Sequence, residues 1–406
     1  KGTGTATPPT AIDFAVSLKT QPLRDVTLNF ASSDSSEGVV NPVKLTFTAD
    51  NWSKSQKLIV TGVNDYLNDG NVHYRISTTV KTIDVKYQLV TVPPIELTNR
   101  DDGRDMPLEI YGDKGGSKND ILVGKDGADQ IYGKDKADDL SGGIGNDTLY
   151  GGYGNDNLFG NDGADTLWGQ EDEDHLEGGK GNDTLDGGLG KDTMTGGVGN
   201  DTYYLGYDAV DVINDQGLMA DVDTVIMPYK LSSYTLPNGI ENGTISAGAD
   251  TSSLTGNSSD NTLQGNDGKN TLTGAVGRDS LFGGLGDDVL SGGIGIDALT
   301  GGLGKDSFLF NTPLMANVDK IADFKPIDDT IKLENQIFVK LTSTGVLAVN
   351  VFVTATTAQD SNDFLVYNKA TGALFYDADG NGAGAAVQIA TLGVNLGLTN
   401  ADFVVV

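Results

Sequence analysis

The sequence predicts an all-β chain: an N-terminal antiparallel β-sandwich, two parallel β-roll blocks and a β-rich C-terminal region. Three observations carry this prediction. Residues 115–204 divide into ten consecutive nine-residue blocks without an insertion, and residues 256–309 into six more. The blocks share one template, G-G-x-G-x-D-x-U-x, with U a large apolar residue. Before and after these runs, apolar residues alternate with polar ones at the strand period of two.

Residues 1–104 read as the sandwich. Ile12, Phe14, Val16 and Leu18 share one strand face; Val26, Leu28 and Phe30 share another. Val43, Leu45 and Phe47 follow, then Leu58 and Val60, then Val72, Tyr74 and Ile76, and Ile83, Val85, Tyr87 and Leu89 close the set. Short strands at this spacing argue a sandwich. The run from Thr46 to Asp65, with Asn51-Trp52 and Val60-Thr61-Gly62-Val63-Asn64-Asp65, resembles the Calx-β-like modules of large bacterial surface proteins. Asp65, Asp69, Asp101 and Asp102 lie at predicted strand ends that can gather at one pole, as calcium ligands, which the resemblance implies, or equally as solvated turn acids. His73 falls on the polar phase of its strand and reads as a surface residue.

Residues 105–204 hold the first roll. Position six of its ten blocks is always aspartate: Asp120, Asp129, Asp138, Asp147, Asp156, Asp165, Asp174, Asp183, Asp192 and Asp201. Position eight is always apolar, from Leu122 and Ile131 to Met194 and Tyr203. The glycines let six residues turn tightly, and the x-U-x triplet is a short strand with its apolar side chain inward. Two blocks complete one coil. Stacked coils bring successive carboxylates of one edge about 5 Å apart, where like charges repel by roughly 1 kcal/mol in water and roughly 3 at an intermediate dielectric. Such a column closes on a cation, and flexible all-oxygen coordination suits Ca²⁺ better than Mg²⁺.

The template resembles the RTX calcium-binding nonapeptide repeat. The resemblance implies a parallel β-roll with each ion held between blocks i and i+2 by aspartate carboxylates and glycine-region carbonyls. Carried onto this chain, the ligands are the ten aspartates above with Gly142, Gly143, Gly145, Gly151, Gly152, Gly154, Gly178, Gly179, Gly181, Gly187, Gly188 and Gly190. About eight ions fit this block and about a dozen the whole chain. Lys118, Lys136 and Asp172 replace glycine at position four, which weakens the sites at those turns.

Residues 205–255 lose the register and read as a segment that caps one roll and starts the next. The second roll, 256–309, carries Asn261, Asn270, Asp279, Asp288, Asp297 and Asp306 at position six. An asparagine offers an amide oxygen but no charge, so the strong sites are expected at Asp279 to Asp306, with Gly283, Gly284, Gly286, Gly292, Gly293 and Gly295. Residues 310–406 resemble the C-terminal region of serralysin-type proteins. The ending Ala401-Asp402-Phe403-Val404-Val405-Val406 resembles their type I secretion signal, an acid before an apolar tail. Asp377 to Gly382 matches half of an EF-hand loop but has Gln388 where glutamate belongs, and reads as a hairpin turn.

The formal net charge is −30, and 19 acids against 6 bases put −13 of it in residues 115–204. That excess opposes nucleic acid and anionic membranes as partners. There is no cysteine, and no apolar run of membrane-spanning length. The chain opens at Lys1 without a signal peptide and reads as a piece of something longer. No H-E-x-x-H occurs, and His73 and His175 stand alone, so a non-catalytic chain is expected. Three function classes follow: a secreted adhesin or surface-layer component of a bacterial cell, the export tail of an extracellular enzyme, or a glycan- or protein-binding module acting through the sandwich. Calcium and the type I secretion apparatus are the expected partners, with self-association or a cell-surface glycan as the third.

Overall fold

The computed structural model describes residues 4–6, 11–35, 38–62, 72–99, 109–112, 119–207, 211–215, 221–314 and 318–406. Two compact units result, 1–108 with 125–128, and 109–124 with 129–406.

The first unit is a sandwich. Val26–Ser32, Lys44–Phe47, Val72–Lys81 and Ile95–Asn99 pair antiparallel, with Gly4–Ala6 added in parallel at the edge. Ala11–Val16, Gln56–Gly62 and Gly38–Asn41 form the second sheet. Val26, Leu28, Phe30, Leu45, Phe47, Tyr74, Ile76 and Leu97 meet Leu58 and Val60 in one core. The period-two alternation therefore assigns these inward faces, except that Val43, expected beside Leu45 and Phe47, lies just before its strand and is exposed.

One expected strand is absent. Ile83, Val85 and Leu89 are exposed, and residues 82–90 hold a turn at 85–89 and no strand. The reason is the buried Asp84, whose carboxylate accepts the backbone N–H groups of Leu23, Arg24 and Lys86. A carboxylate that gathers three N–H groups holds its own segment out of a ladder. Ile95–Asn99 closes the sheet instead.

The second unit is a parallel solenoid. Alternate blocks stack on the same face in an unbroken register, Thr148 on Thr166 and Thr184 on Thr202. Ile131, Leu140, Leu149, Leu158, Leu167, Leu176, Leu185 and Met194 are fully buried between the two faces. The strands are longer than the expected triplet: Thr148–Tyr153 and its neighbours span six residues, and the ladder skips only the position-one glycine. The chain bends at that glycine and resumes pairing at positions two and three, so the turn shrinks to three residues.

The joint at 205–255 interrupts only one face. On the other, the register runs Thr202, Thr224, Asn242, Thr262, Ser280 without a break. The opposite sheet ends at Val212–Ile213, and a new one begins at Ser233–Thr235. After the last block, Asp319–Ile321 and Thr330–Leu333 add two more parallel rungs. Val387–Thr391 and Phe403–Val405 follow on them. On one side Ala373–Tyr376 and Leu365–Asn368 add antiparallel and Phe352–Thr354 ends the sheet in parallel; on the other, antiparallel Gly345–Val346 is the last strand. Exposed ladder edges invite pairing with other chains, and this arrangement covers them. Residues 377–386 join two antiparallel strands, which is the hairpin turn read from the sequence. The apolar tail is packed inward, with Phe403 and Val405 buried.

Candidate functional site

Each position-six aspartate sits where the three-residue turn meets the next strand. Among those in described blocks, Asp129 to Asp201 and Asp279 to Asp306 are buried, while Asp120 in the first rung is half-buried. One oxygen has a fixed task. Oδ1 of Asp165 accepts the N–H of Asp147 at 2.7 Å, and Oδ1 of Asp183 accepts that of Asp165 at 2.8 Å. The same bond recurs along both edges, Asp138 to Asp156 to Asp174 included.

The other oxygen is left over. Oδ2 of Asp147, Asp156, Asp165, Asp174, Asp183, Asp201, Asp279, Asp288 and Asp297 is buried without a hydrogen-bond partner. Burying a carboxylate oxygen unsatisfied is costly, and nine repetitions of one orphan are a design feature rather than an accident. Burial, with neighbouring carboxylates adding to it, pushes Asp147 and Asp165 up to about 6, Asp156 to about 7 and Asp174 to about 8. In the second roll Asp279 rises to about 6 and Asp288 to about 7 for the same reasons.

The glycines make room for these oxygens. A Cβ on Gly151 would lie 2.5 Å from Asp156 Oδ2 and 2.7 Å from the carbonyl oxygen of Gly169 in the next coil. Position-one glycines Gly142, Gly178, Gly187, Gly283 and Gly292 stand against the aspartate five residues on in the same way. Carboxylate and carbonyl oxygens thus converge where a side chain would otherwise be. Gly143, Gly152, Gly179, Gly188, Gly284 and Gly293 at position two, and Gly145, Gly154, Gly181, Gly190, Gly286 and Gly295 at position four, have positive φ. Lys136 and Asp172 keep that conformation at φ 94° and 78°, at a strain of order 1 kcal/mol each. The structure adds position-two departures that the reading of position four overlooks: Lys134, Asn161 and Gln170, also at positive φ.

Among the described residues no group of three or more His, Cys, Asp or Glu side chains gathers at one point. Each gap therefore offers one or two carboxylates, and carbonyl oxygens must complete any shell. That donor set is all hard oxygen and suits Ca²⁺. The buried, unpartnered Oδ2 atoms and the Cβ-free cradle fit such an ion.

Not every rung is of this kind. Asn261 turns its amide into the gap and donates to the carbonyls of Ile240 (2.9 Å) and Glu241 (3.3 Å), while its oxygen accepts from Asn257 N–H. It fills the gap with a donor instead of offering an oxygen to it. The pole of the sandwich, Asp65, Asp69, Asp101 and Asp102, lies outside the described residues, as does Lys118. Neither histidine builds a site: exposed His73 Nδ1 pairs with the Thr98 hydroxyl at 2.7 Å, and outward His175 packs edge-on against Phe159.

A solenoid of glycine-turn coils with an aspartate ladder along each edge defines a repeat protein that takes cations between its coils. The model of the RTX calcium-binding nonapeptide repeat matches residues 114–203 and 246–310 in overlapping stretches. The chain carries RTX repeats over these stretches; such repeats bind calcium in general and are typical of secreted bacterial proteins. No curated protein matches the chain. Among the described residues no helix is long and apolar enough to cross a membrane.

Proposed function

We propose that this chain is a non-catalytic, calcium-folded module of a larger bacterial surface or adhesin-like protein, exported by a type I apparatus. The observation that supports it most is the row of buried, unpartnered Asp Oδ2 atoms. Without a cation those oxygens oppose closure; with one bound they become its ligands. Metal binding and folding are then one event. In a low-calcium cytosol the repeats stay open and can thread a channel. Outside, sites of the extracellular class fill at roughly 10⁻⁴ to 10⁻³ M calcium, and the closed coils cannot slip back.

About a dozen divalent ions would offset most of the −30 formal charge. When bound, the ions supply positive charge; the chain's own groups supply the geometry. Oδ1 fixes the turn, Oδ2 faces the gap, and the position-one glycine leaves it open. The sandwich at 11–99, with its separate core, favours an adhesive or lattice role over a bare export tail.

Far-ultraviolet circular dichroism of the full chain in calcium and in chelator tests the coupling. A strong gain of β signal on adding calcium is expected. An equal signal in chelator refutes it. For the surface role, saturable calcium-dependent attachment of the labelled chain to bacterial cells is the expected result, and its absence removes that reading while leaving calcium folding intact.

A further inference from the structure

The carboxylate ladder continues beyond the nonapeptides. Asp223 Oδ1 accepts the N–H of Asp201 at 2.7 Å, and Asp319 Oδ1 accepts that of Asp297 at 3.1 Å. These are the bonds made within the repeats, but the spacing has stretched from 18 residues to 22. Both acids are buried and lie outside the matched stretches. The half of the gap contributed by the repeat is already built. Oδ2 of Asp201 and of Asp297 is buried and has no partner, and each residue is 1% exposed.

We propose that the coils closed by Asp223 and by Asp319 hold two calcium sites outside the repeat register, one between Asp201 and Asp223 and one between Asp297 and Asp319. The inference rests on the calcium reading above.

The surroundings select these two gaps. Asp223 lies in the negative field of Asp215, Asp221 and Glu241, and Glu241 Oε2 accepts its N–H at 3.0 Å. Asp297 and Asp319 are both buried among other carboxylates, Asp297 in the negative field of Asp260 and Asp319 in that of Asp297 and Asp279. Two acceptor-only groups so placed need a cation or a proton between them.

Two neighbouring rungs show what happens where another donor is present. At Asn261 the side-chain amide bridges the carbonyls of the preceding coil. At the Asp306–Asp329 rung burial raises both carboxylates, and the ammonium of Lys325, which donates to the Gly302 carbonyl at 2.6 Å, opposes that rise. A fixed positive charge already stands there, so that gap takes no ion.

The test is native mass spectrometry of the full chain at limiting calcium, with four variants. Asp→Asn keeps the Oδ1 acceptor and removes the charge. Asp183→Asn, inside the repeats, should lose at least one ion. Asp223→Asn and Asp319→Asn should each lose one, and Asp329→Asn none. Retention of the full complement by Asp223→Asn and Asp319→Asn while Asp183→Asn loses an ion overturns the proposal and leaves the repeat sites standing. Retention by Asp183→Asn as well would instead defeat the calcium reading. Circular dichroism in saturating calcium checks that each variant folds; should one fail, the other outlying variant answers the same question at its own gap.

Discussion

Neutralising one edge of the first roll should fold it without metal. Asp147, Asp165 and Asp183 stack on one edge, each Oδ1 on the preceding N–H. Burial first, opposed by the backbone hydrogen bond, raises each of the three to about 6. Against an ordinary value of 3.8, about two units each means about 3 kcal/mol to ionise each rung at pH 8. Solvent lies just beyond these edge turns, and its screening reduces that to about 1–2 kcal/mol. Replacing all three with asparagine preserves every Oδ1 acceptor and relieves about 3–6 kcal/mol, comparable with the whole stability of a small domain. The triple variant should gain β signal in chelator at pH 8, while its calcium midpoint rises at least tenfold because three charged ligands are gone. The assay is circular dichroism against calcium and against chelator. A variant as unstructured in chelator as the parent, when the parent folds in calcium, would show that carboxylate charge is not what holds the coils apart.

The same shifts set a pH dependence. Folded values of about 6 to 8 at Asp147, Asp156 and Asp174 exceed the unfolded 3.8, so the metal-free roll binds extra protons. Its stability is present at low pH and is lost as pH rises through 6 to 8; in chelator, β signal should grow between pH 8 and pH 5, and calcium affinity should fall over the same range. Gly160→Ala drives a Cβ against Asp165 Oδ2 and the Gly178 carbonyl; a loss of about 1–3 kcal/mol in calcium is expected by thermal melting, with a weakened ion at that gap. Leu167→Ala, at 0% exposure between the two faces, should cost about 2–5 kcal/mol without altering calcium stoichiometry. Asp84→Ala strands the N–H groups of Leu23, Arg24 and Lys86; a loss of about 3 kcal/mol confined to the sandwich transition is expected by calorimetry.

The coils were legible because their signal is redundant. In the structure the position-one glycine leaves room at the bend, Oδ1 of the position-six aspartate caps the preceding N–H, and the apolar residue at eight fills the interior. Four later segments, read from the sequence only as strands, had kept the carboxylate's task and lost the spacing. Asp211-Val212-Ile213, Asp223-Thr224-Val225, Asp319-Lys320-Ile321 and Asp329-Thr330-Ile331 preserve the aspartate–x–apolar core of the repeat, and each carboxylate caps an N–H of the previous coil. Their glycines are gone and longer loops stand in their place, so a strict nine-residue count passes over them. A search for the triplet alone would have found them. The missing sandwich strand at 83–89 has the opposite cause: alternation was present, but a single buried acid took the backbone donors for itself. The asparagine rungs misled more gently, since an amide can turn either end to a gap, and only the neighbouring carbonyls decide which.

The face that runs without interruption from Glu109–Tyr111 to Asp319–Ile321 has a mechanical consequence. Its strands lie across the stacking direction, so tension along the stack opens hydrogen bonds one rung after another instead of shearing them together. With the C-terminal hairpins it counts 16 strands, about 70 Å at the usual spacing. Each bound ion would act as a rivet between successive rungs. Such a body would lengthen stepwise under load and close again in calcium, like a ratcheted spring whose stiffness follows the salt of its surroundings.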